Sequence, residues 1–289
     1  MEYIVLGLLG LCMGSFAGAS VWRLRARQLL QDKAEGESVD KAEYARLKPL
    51  VDTKISEDRS RCLHCHHVLA WYDLLPLFSW LVTAGRCRYC HRPIGVFEPL
   101  IELGTALLFV GSFAMWPWPL TGAGPWALFA LWLVSCVPLV ILFAYDVKWF
   151  LLPNQAMFPL LVAGGIFAGL QLVINRGSVF STIGAIGLSA AILSGLYLLL
   201  WIVSKGRWIG LGDVKLGFAL ALFLADWRLA FLTLLLANGI GCLLVLPGLV
   251  THKITRSSHV PFGPLFIAGF LIALFFGPHI LAWYQQILI

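Results

Sequence analysis

The sequence predicts an all-α polytopic membrane protein with about eight transmembrane helices and one small cysteine-rich module between the first and second. Three observations predict it. Apolar residues make up 60% of the 289 and charged residues only 12%, about half the charged share of a soluble domain. Apolar runs of membrane-crossing length recur along the whole chain. Four of the seven cysteines and four of the seven histidines fall between positions 62 and 91, so one interval differs in kind from the rest.

A helix needs about 20 apolar residues to cross a bilayer. The candidate runs are 3–21, 99–116, 126–145, 156–174, 183–204, 214–225, 228–250 and 262–284, and the sixth is the shortest. The first run opens Met-Glu-Tyr with no basic segment before it, and Arg23, Arg25 and Arg27 follow it. Although "AGA" offers a small-residue cleavage site, the run reads as a retained anchor with its N-terminus outside, not a removed signal peptide. With that orientation Lys148, Lys205, Arg207, Lys215, Lys253 and Arg256 fall inside, and only Arg176 and Arg228 outside. Six against two satisfies the positive-inside rule in short loops alone. The net charge of +6 is mostly this orientation signal and gives no ground for a nucleic-acid partner.

Three stretches follow: a first transmembrane helix over 1–21, a cytoplasmic domain over 22–97, and a seven-helix membrane domain over 98–289. The first half of the cytoplasmic stretch mixes both charge signs with few aromatics and reads as solvated helix and loop. The second half, "RCLHCHHVLAWYDLLPLFSWLVTAGRCRYCHRP", reads as a metal-stapled module over 62–90. The connection "MWPWPLTGAGP" joins breakers to tryptophans, as at a membrane interface.

Cys62-x-x-Cys65 and Cys87-x-x-Cys90 are separated by 21 residues, just beyond the usual interval of about 15–20 for paired zinc knuckles. Four thiolates can close on one Zn²⁺ tetrahedrally and leave no open position, which makes the role structural. A redox dithiol, or a histidine (His64, His66, His67 or His91) replacing one cysteine, remain the alternatives. Cys12, Cys136 and Cys242 fall inside spans and read as small packing residues.

Asp-Val-Lys occurs twice, at 146–148 and 213–215. Ionisable groups at a membrane span mark function by default. Asp146 ends the third span and Asp213 begins the sixth, on the same side, so the two can meet. Paired carboxylates share one proton, and one then serves as base toward water while the other protonates a scissile carbonyl. For Asp213 alone, an N-cap after Gly212 is the simpler reading. Asp146 has no such explanation, because Asn154 is the better cap for the fourth span. Gly210 and Gly212 permit close approach of another backbone, such as an extended substrate. Lys148 and Lys215 read as interfacial anchors, with substrate contact as the second reading.

"GLGDVKL", "AYD" with "LLPN" downstream, the four-cysteine block, "EPLIELGTALLF" and "VPFGPLF" together resemble the type IV prepilin peptidases, membrane aspartic proteases of the GxGD class. The resemblance covers nearly the whole chain. It implies cleavage of a short basic leader from type IV prepilins or pseudopilins after a glycine, at the cytoplasmic face of a bacterial inner membrane, with Asp146 and Asp213 as the catalytic pair. It also implies methylation of the new N-terminal amine from S-adenosylmethionine, and places Glu102 at the family's acidic position near that domain. Gly18 and Arg25 stand where the family usually has Asn and Pro, and Phe97-Glu98 where it has Arg-Tyr. Presenilin-type proteases share "YD" and "GLGD" but carry a Pro-Ala-Leu motif not found here, and archaeal preflagellin peptidases lack the cysteine module. From other classes, a proton-coupled transporter could also use paired acids, and a secretion-machine scaffold could use the zinc module for docking. The two Asp-Val-Lys segments lead into spans of the same direction, unlike the inverted repeats common in transporters.

Overall fold

Long apolar runs broken by short polar turns fold, in the computed structural model, into helices, with no named strand among the described residues. Those residues are 1–51, 59–174, 179–250 and 260–287. Arg176, Lys253 and Arg256, counted above for orientation, lie outside them. Among the described residues, seven helical stretches are long and apolar enough to cross a bilayer: Glu2–Ala34, Phe97–Ala114, Ala123–Trp149, Asn154–Ile174, Val179–Ser204, Trp227–Pro247 and Phe262–Ile287. The candidate at 214–225 is the exception. It forms a helix over Leu211–Leu224, 14 residues, or about 21 Å at 1.5 Å per residue, against about 30 Å of hydrocarbon.

In chain order the helices are α1 (Glu2–Ala34), α2 (Lys41–Leu47), α3 (Phe78–Val82), α4 (Phe97–Ala114), α5 (Ala123–Trp149), α6 (Asn154–Ile174), α7 (Val179–Ala190), α8 (Leu196–Ser204), α9 (Leu211–Leu224), α10 (Trp227–Val250) and α11 (Phe262–Ile287). A π turn over Ala191–Gly195 joins α7 to α8. The chain forms two compact units, Met1–Gly111 and Ser112–Ile289.

In the N-terminal unit, α1 continues well past the first apolar run to residue 34. Its glycines let α4 approach closely: a side chain at Gly10 would meet the Ala106 backbone at 2.6 Å, and one at Gly14 the Glu102 backbone at 2.6 Å. Small residues four apart serve this purpose in membrane helices. Up to residue 51 the charged stretch after α1 forms helix and loop. Asp40 caps α2, accepting the N–H groups of Ala42 at 2.7 Å and Glu43 at 3.0 Å, and those bonds hold its carboxyl below the usual range. Leu47 is fully buried, and Arg25 pairs with Glu43 at 2.7 Å.

In the C-terminal unit the core is aromatic. Trp132 of α5 is buried, donates its indole N–H to Ser112 Oγ at 2.8 Å, and meets Phe223 of α9 at 5.7 Å and Phe270 of α11 at 5.9 Å. Phe223 also packs on Phe167 of α6 at 5.1 Å. Helices α5, α9 and α11 therefore meet at one indole, and α6 joins them through Phe223. Trp116 lies 5.0 Å from Phe129, so it packs on α5. Elsewhere apolar side chains such as Phe158, Phe180 and Leu243 are largely exposed, as a bilayer-facing surface requires.

The π turn fixes α9. A π turn widens the helix and frees backbone groups, and here the Leu193 carbonyl oxygen occupies the space a side chain at Gly217 would need. Ser194 Oγ donates to the Val214 carbonyl at 2.9 Å. Gly217→Val should lower stability by about 1–3 kcal/mol, read as a lower Tm in detergent; an unchanged Tm would show that this contact is not tight in the folded protein.

Candidate active site and metal centre

Asp146 sits in the last turn of α5 and is only 5% exposed. Phe150 ends that helix in the left-handed conformation, its N–H donating to the Asp146 carbonyl at 2.9 Å. The chain then turns through Leu151-Leu152-Pro153 into α6. The Asp146 carboxylate accepts the N–H of Gly263, in the first turn of α11, at 2.9 Å. A helix N-terminus has unpaired N–H groups and a partial positive charge, so a carboxylate from another helix can serve as its cap.

Asp213 is in the first turn of α9, three residues after the N-cap Gly210. It is therefore not itself the N-cap. Its carboxylate turns back toward the Gly210 N–H, the acidic half of a capping box. The two carboxylates, 67 residues apart in sequence, lie within electrostatic reach of each other.

Leu152 brings the pieces together. A side chain at Gly212 would meet Leu152 Cβ at 3.0 Å, and one at Gly263 would meet Asp146 Oδ2 at 2.8 Å and Leu152 Cδ2 at 3.3 Å. The space left by Gly212 is thus taken by Leu152. Gly210 has only the Asp213 carboxylate and the Gly212 backbone near it. Asn154 is the first residue of α6, not its cap; Pro153 accepts the N–H groups of Ala156 and Met157. The Asn154 side chain instead accepts Lys215 Nζ at 2.8 Å, tying α6 to α9. Lys148 lies against the Trp149 ring at 5.4 Å.

Glu102 is buried in α4. It accepts the Leu77 N–H at 2.8 Å and interacts with the Ser15 hydroxyl, so it anchors the turn before α3 to the membrane helices.

The two cysteine knuckles repeat one backbone pattern. Cys62 N–H donates to the His67 carbonyl at 3.0 Å and Cys87 N–H to that of Arg92 at 2.9 Å. His66 and His91 occupy the same left-handed position, φ 57° in each. The sulfur atoms of Cys62, Cys65, Cys87 and Cys90 lie within 4.8 Å of one another, with Cys62 and Cys90 at 3.9 Å. Four thiolates each about 2.3 Å from one ion lie about 3.8 Å apart at tetrahedral angles, so the residues fit a closed metal site. Among the described residues no histidine belongs to the cluster. Convergence of both pairs is what a metal needs and a single redox dithiol does not. Burial pushes the Cys62 thiol up to about 12, so a cation is what can hold it as thiolate. Of the remaining cysteines, Cys136 is buried in the core, whereas Cys12 and Cys242 are exposed on their helices.

Three residues that the sequence did not single out lie against these groups. Asp73 accepts Arg88 Nε at 3.0 Å and the Tyr89 hydroxyl at 2.9 Å, and Tyr89 stacks on His67 at 3.7 Å, which clamps one knuckle to the other. Gly263 binds Asp146, and Tyr197 of α8 lies within electrostatic reach of Asp213. "VPFGPLF" held the only signal for Gly263; a tyrosine inside an apolar run gave none for Tyr197.

Membrane-length helices, a carboxylate at each of two helix ends and a four-cysteine module define a polytopic membrane protein with a candidate aspartate site. Residues 133–246, which contain both aspartates, match the model of the type IV leader peptidase family, and residues 8–116, which contain the cysteines, match the bacterial peptidase A24 N-terminal domain. A prepilin leader peptidase/N-methyltransferase of Aeromonas hydrophila is 35% identical over 96% of this chain and 91% of its own length. Proteins of the same description from Legionella pneumophila and Burkholderia pseudomallei (strain 1026b) are 29% and 33% identical, over 98% and 93% of this chain and 94% and 84% of theirs. The chain belongs to the type IV leader peptidase family. No solved structure matches it.

Purified, reduced protein should carry about one tightly bound divalent metal per chain by elemental analysis, lost in the Cys62→Ser/Cys65→Ser double variant. Asp73→Ala should keep the four ligands but release metal faster to a chelator; an unchanged rate would remove Asp73 from the support of the site.

Proposed function

We propose that the protein is a membrane aspartic endopeptidase that removes the basic leader of type IV prepilins or pseudopilins after a glycine, at the cytoplasmic face of the bacterial inner membrane, and N-methylates the new N-terminus. The observation that carries this reading is the approach of Asp146 and Asp213 at two helix ends. A pair of carboxylates of this kind, Asp146 buried and Asp213 half-buried, has the chemistry of an aspartic protease.

One aspartate, ionised, takes a proton from water as the water oxygen attacks the scissile carbonyl carbon. The other, protonated, gives its proton to the carbonyl oxygen. When the tetrahedral intermediate collapses, the C–N bond breaks and the leaving nitrogen takes up a proton, giving a leader carboxylate and a free amine. Gly263 holds Asp146 and the Gly210 turn holds Asp213, so both acids are placed before substrate arrives. The amine is the acceptor for the second activity, in which S-adenosylmethionine is a substrate that gives up its methyl group.

The metal is Zn²⁺, one per chain, and its role is structural, because four thiolates leave no open coordination position. The functional division follows the sequence: 22–97 carries the metal module and 98–289 the peptidase. The charge distribution supports an N-terminus outside, with the module and both aspartates on the cytoplasmic side. Glu102, with its carboxylate engaged by Leu77 and Ser15, anchors the module to the membrane helices. Lys148 and Lys215 sit two residues after the catalytic positions, and Lys215 braces the site through Asn154. The names of the relatives favour this reading over a transporter or a scaffold.

Asp146→Asn and Asp213→Asn should each slow leader removal from a co-reconstituted prepilin by at least about a hundredfold, with fold and metal content retained. Mass spectrometry of the product reports cleavage and methylation together. Normal processing by either variant would sink the pair assignment, and a scaffold would tolerate both.

A further inference from the structure

We propose that Tyr197 is a third polar member of the aspartate site, with its hydroxyl proton directed by Asn238 toward Asp213 and the substrate group bound there. This rests on the reading of Asp146 and Asp213 as the catalytic pair.

The orientation of the hydroxyl follows from its partners. Asn238 Nδ2 lies 2.8 Å from the Leu234 carbonyl and 3.1 Å from the Tyr197 hydroxyl oxygen. A carbonyl can only accept, so the amide nitrogen and not its oxygen faces Leu234. The same nitrogen then donates to Tyr197. The tyrosine oxygen is therefore an acceptor in that bond, and its own proton is left for another group. Tyr197 is 3% exposed, and its ring packs against Phe262 and Phe266 at 5.3 Å each. Those rings offer no strong acceptor. Asp213 lies within electrostatic reach.

The ring contacts also place Tyr197 relative to the other aspartate. Phe262 immediately precedes Gly263, whose N–H binds Asp146. One short segment of α11 thus touches both the tyrosine and the first acid. With a peptide bound, a phenol held there donates a hydrogen bond to the carbonyl oxygen as negative charge develops on it, or to Asp213 while that group acts as base. No proton needs to leave the tyrosine.

The test is kinetic, on full-length protein reconstituted with a prepilin. Tyr197→Phe keeps the ring and removes the hydroxyl. Its kcat should fall by about a hundredfold, the usual effect of losing one preorganised donor, with KM, Tm and metal content unchanged. Asn238→Leu should give a smaller fall, and adding it to Tyr197→Phe should cost nothing further, because the amide acts only through the hydroxyl. A parental rate for Tyr197→Phe overturns the proposal. So does a loss that appears as raised KM or lowered Tm, which is what a purely structural tyrosine would give. Asp213→Asn is measured alongside: if it too cleaves normally, the pair assignment has failed, whereas an inactive Asp213→Asn beside a fully active Tyr197→Phe refutes only the role of the tyrosine.

Discussion

The hydrogen bond from the Gly263 amide to the Asp146 carboxylate joins the end of α5 to the start of α11, and much of the C-terminal unit is arranged around it. A buried carboxylate without donors is costly, and so is a helix N-terminus with unpaired amides. Each solves the other's problem. A hydrogen bond to a charged group is worth about 1.5–3 kcal/mol, enough to fix which rotamer the acid adopts. A Cβ at position 263 would meet the Asp146 carboxylate at 2.8 Å, so any larger residue there has to displace the acid. Leu152 fills the remaining space and reaches Gly212, so the turn that orients Asp146 also sets the start of the helix that carries Asp213.

The structural places of the two aspartates are compatible with the chemistry proposed for them. Asp213 belongs to the first turn of α9, and Asp146 caps α11 from outside. An acid in such a place is already oriented and partly desolvated before any peptide binds, which is the condition for an efficient proton carrier. The short α9 is held along its first half by the π turn, through Leu193 against Gly217 and Ser194 on Val214.

In the N-terminal unit Trp22, Arg25, Phe97 and Glu98 make contacts between distant segments. Phe97 meets Trp22 edge-on at 5.7 Å, Glu98 accepts the Trp22 indole N–H at 2.8 Å, and Arg25 pairs with Glu43. Trp22 is buried, and the Arg46 guanidinium lies 5.5 Å from its ring. These contacts form one local cluster that links α1, α2 and α4.

The sequence by itself determined what depends on order along the chain. Apolar run length sets the membrane helices, loop charge sets the expected orientation, and CxxC spacing selects the four candidate ligands, because each is a local property of consecutive residues. It also picked out both aspartates, since an acid in a greasy chain is conspicuous. What only the tertiary structure decided is what lies opposite what. The capping of α11 by an acid 117 residues earlier, the filling of the Gly212 space by Leu152, the clamp of Asp73 on the second knuckle and the Asn238–Tyr197 pair all join distant segments through single side chains. Composition and periodicity carry no trace of such pairings, because the energy of a hydrogen bond or a close contact depends on where two atoms meet, and that position is set by the packing of whole helices.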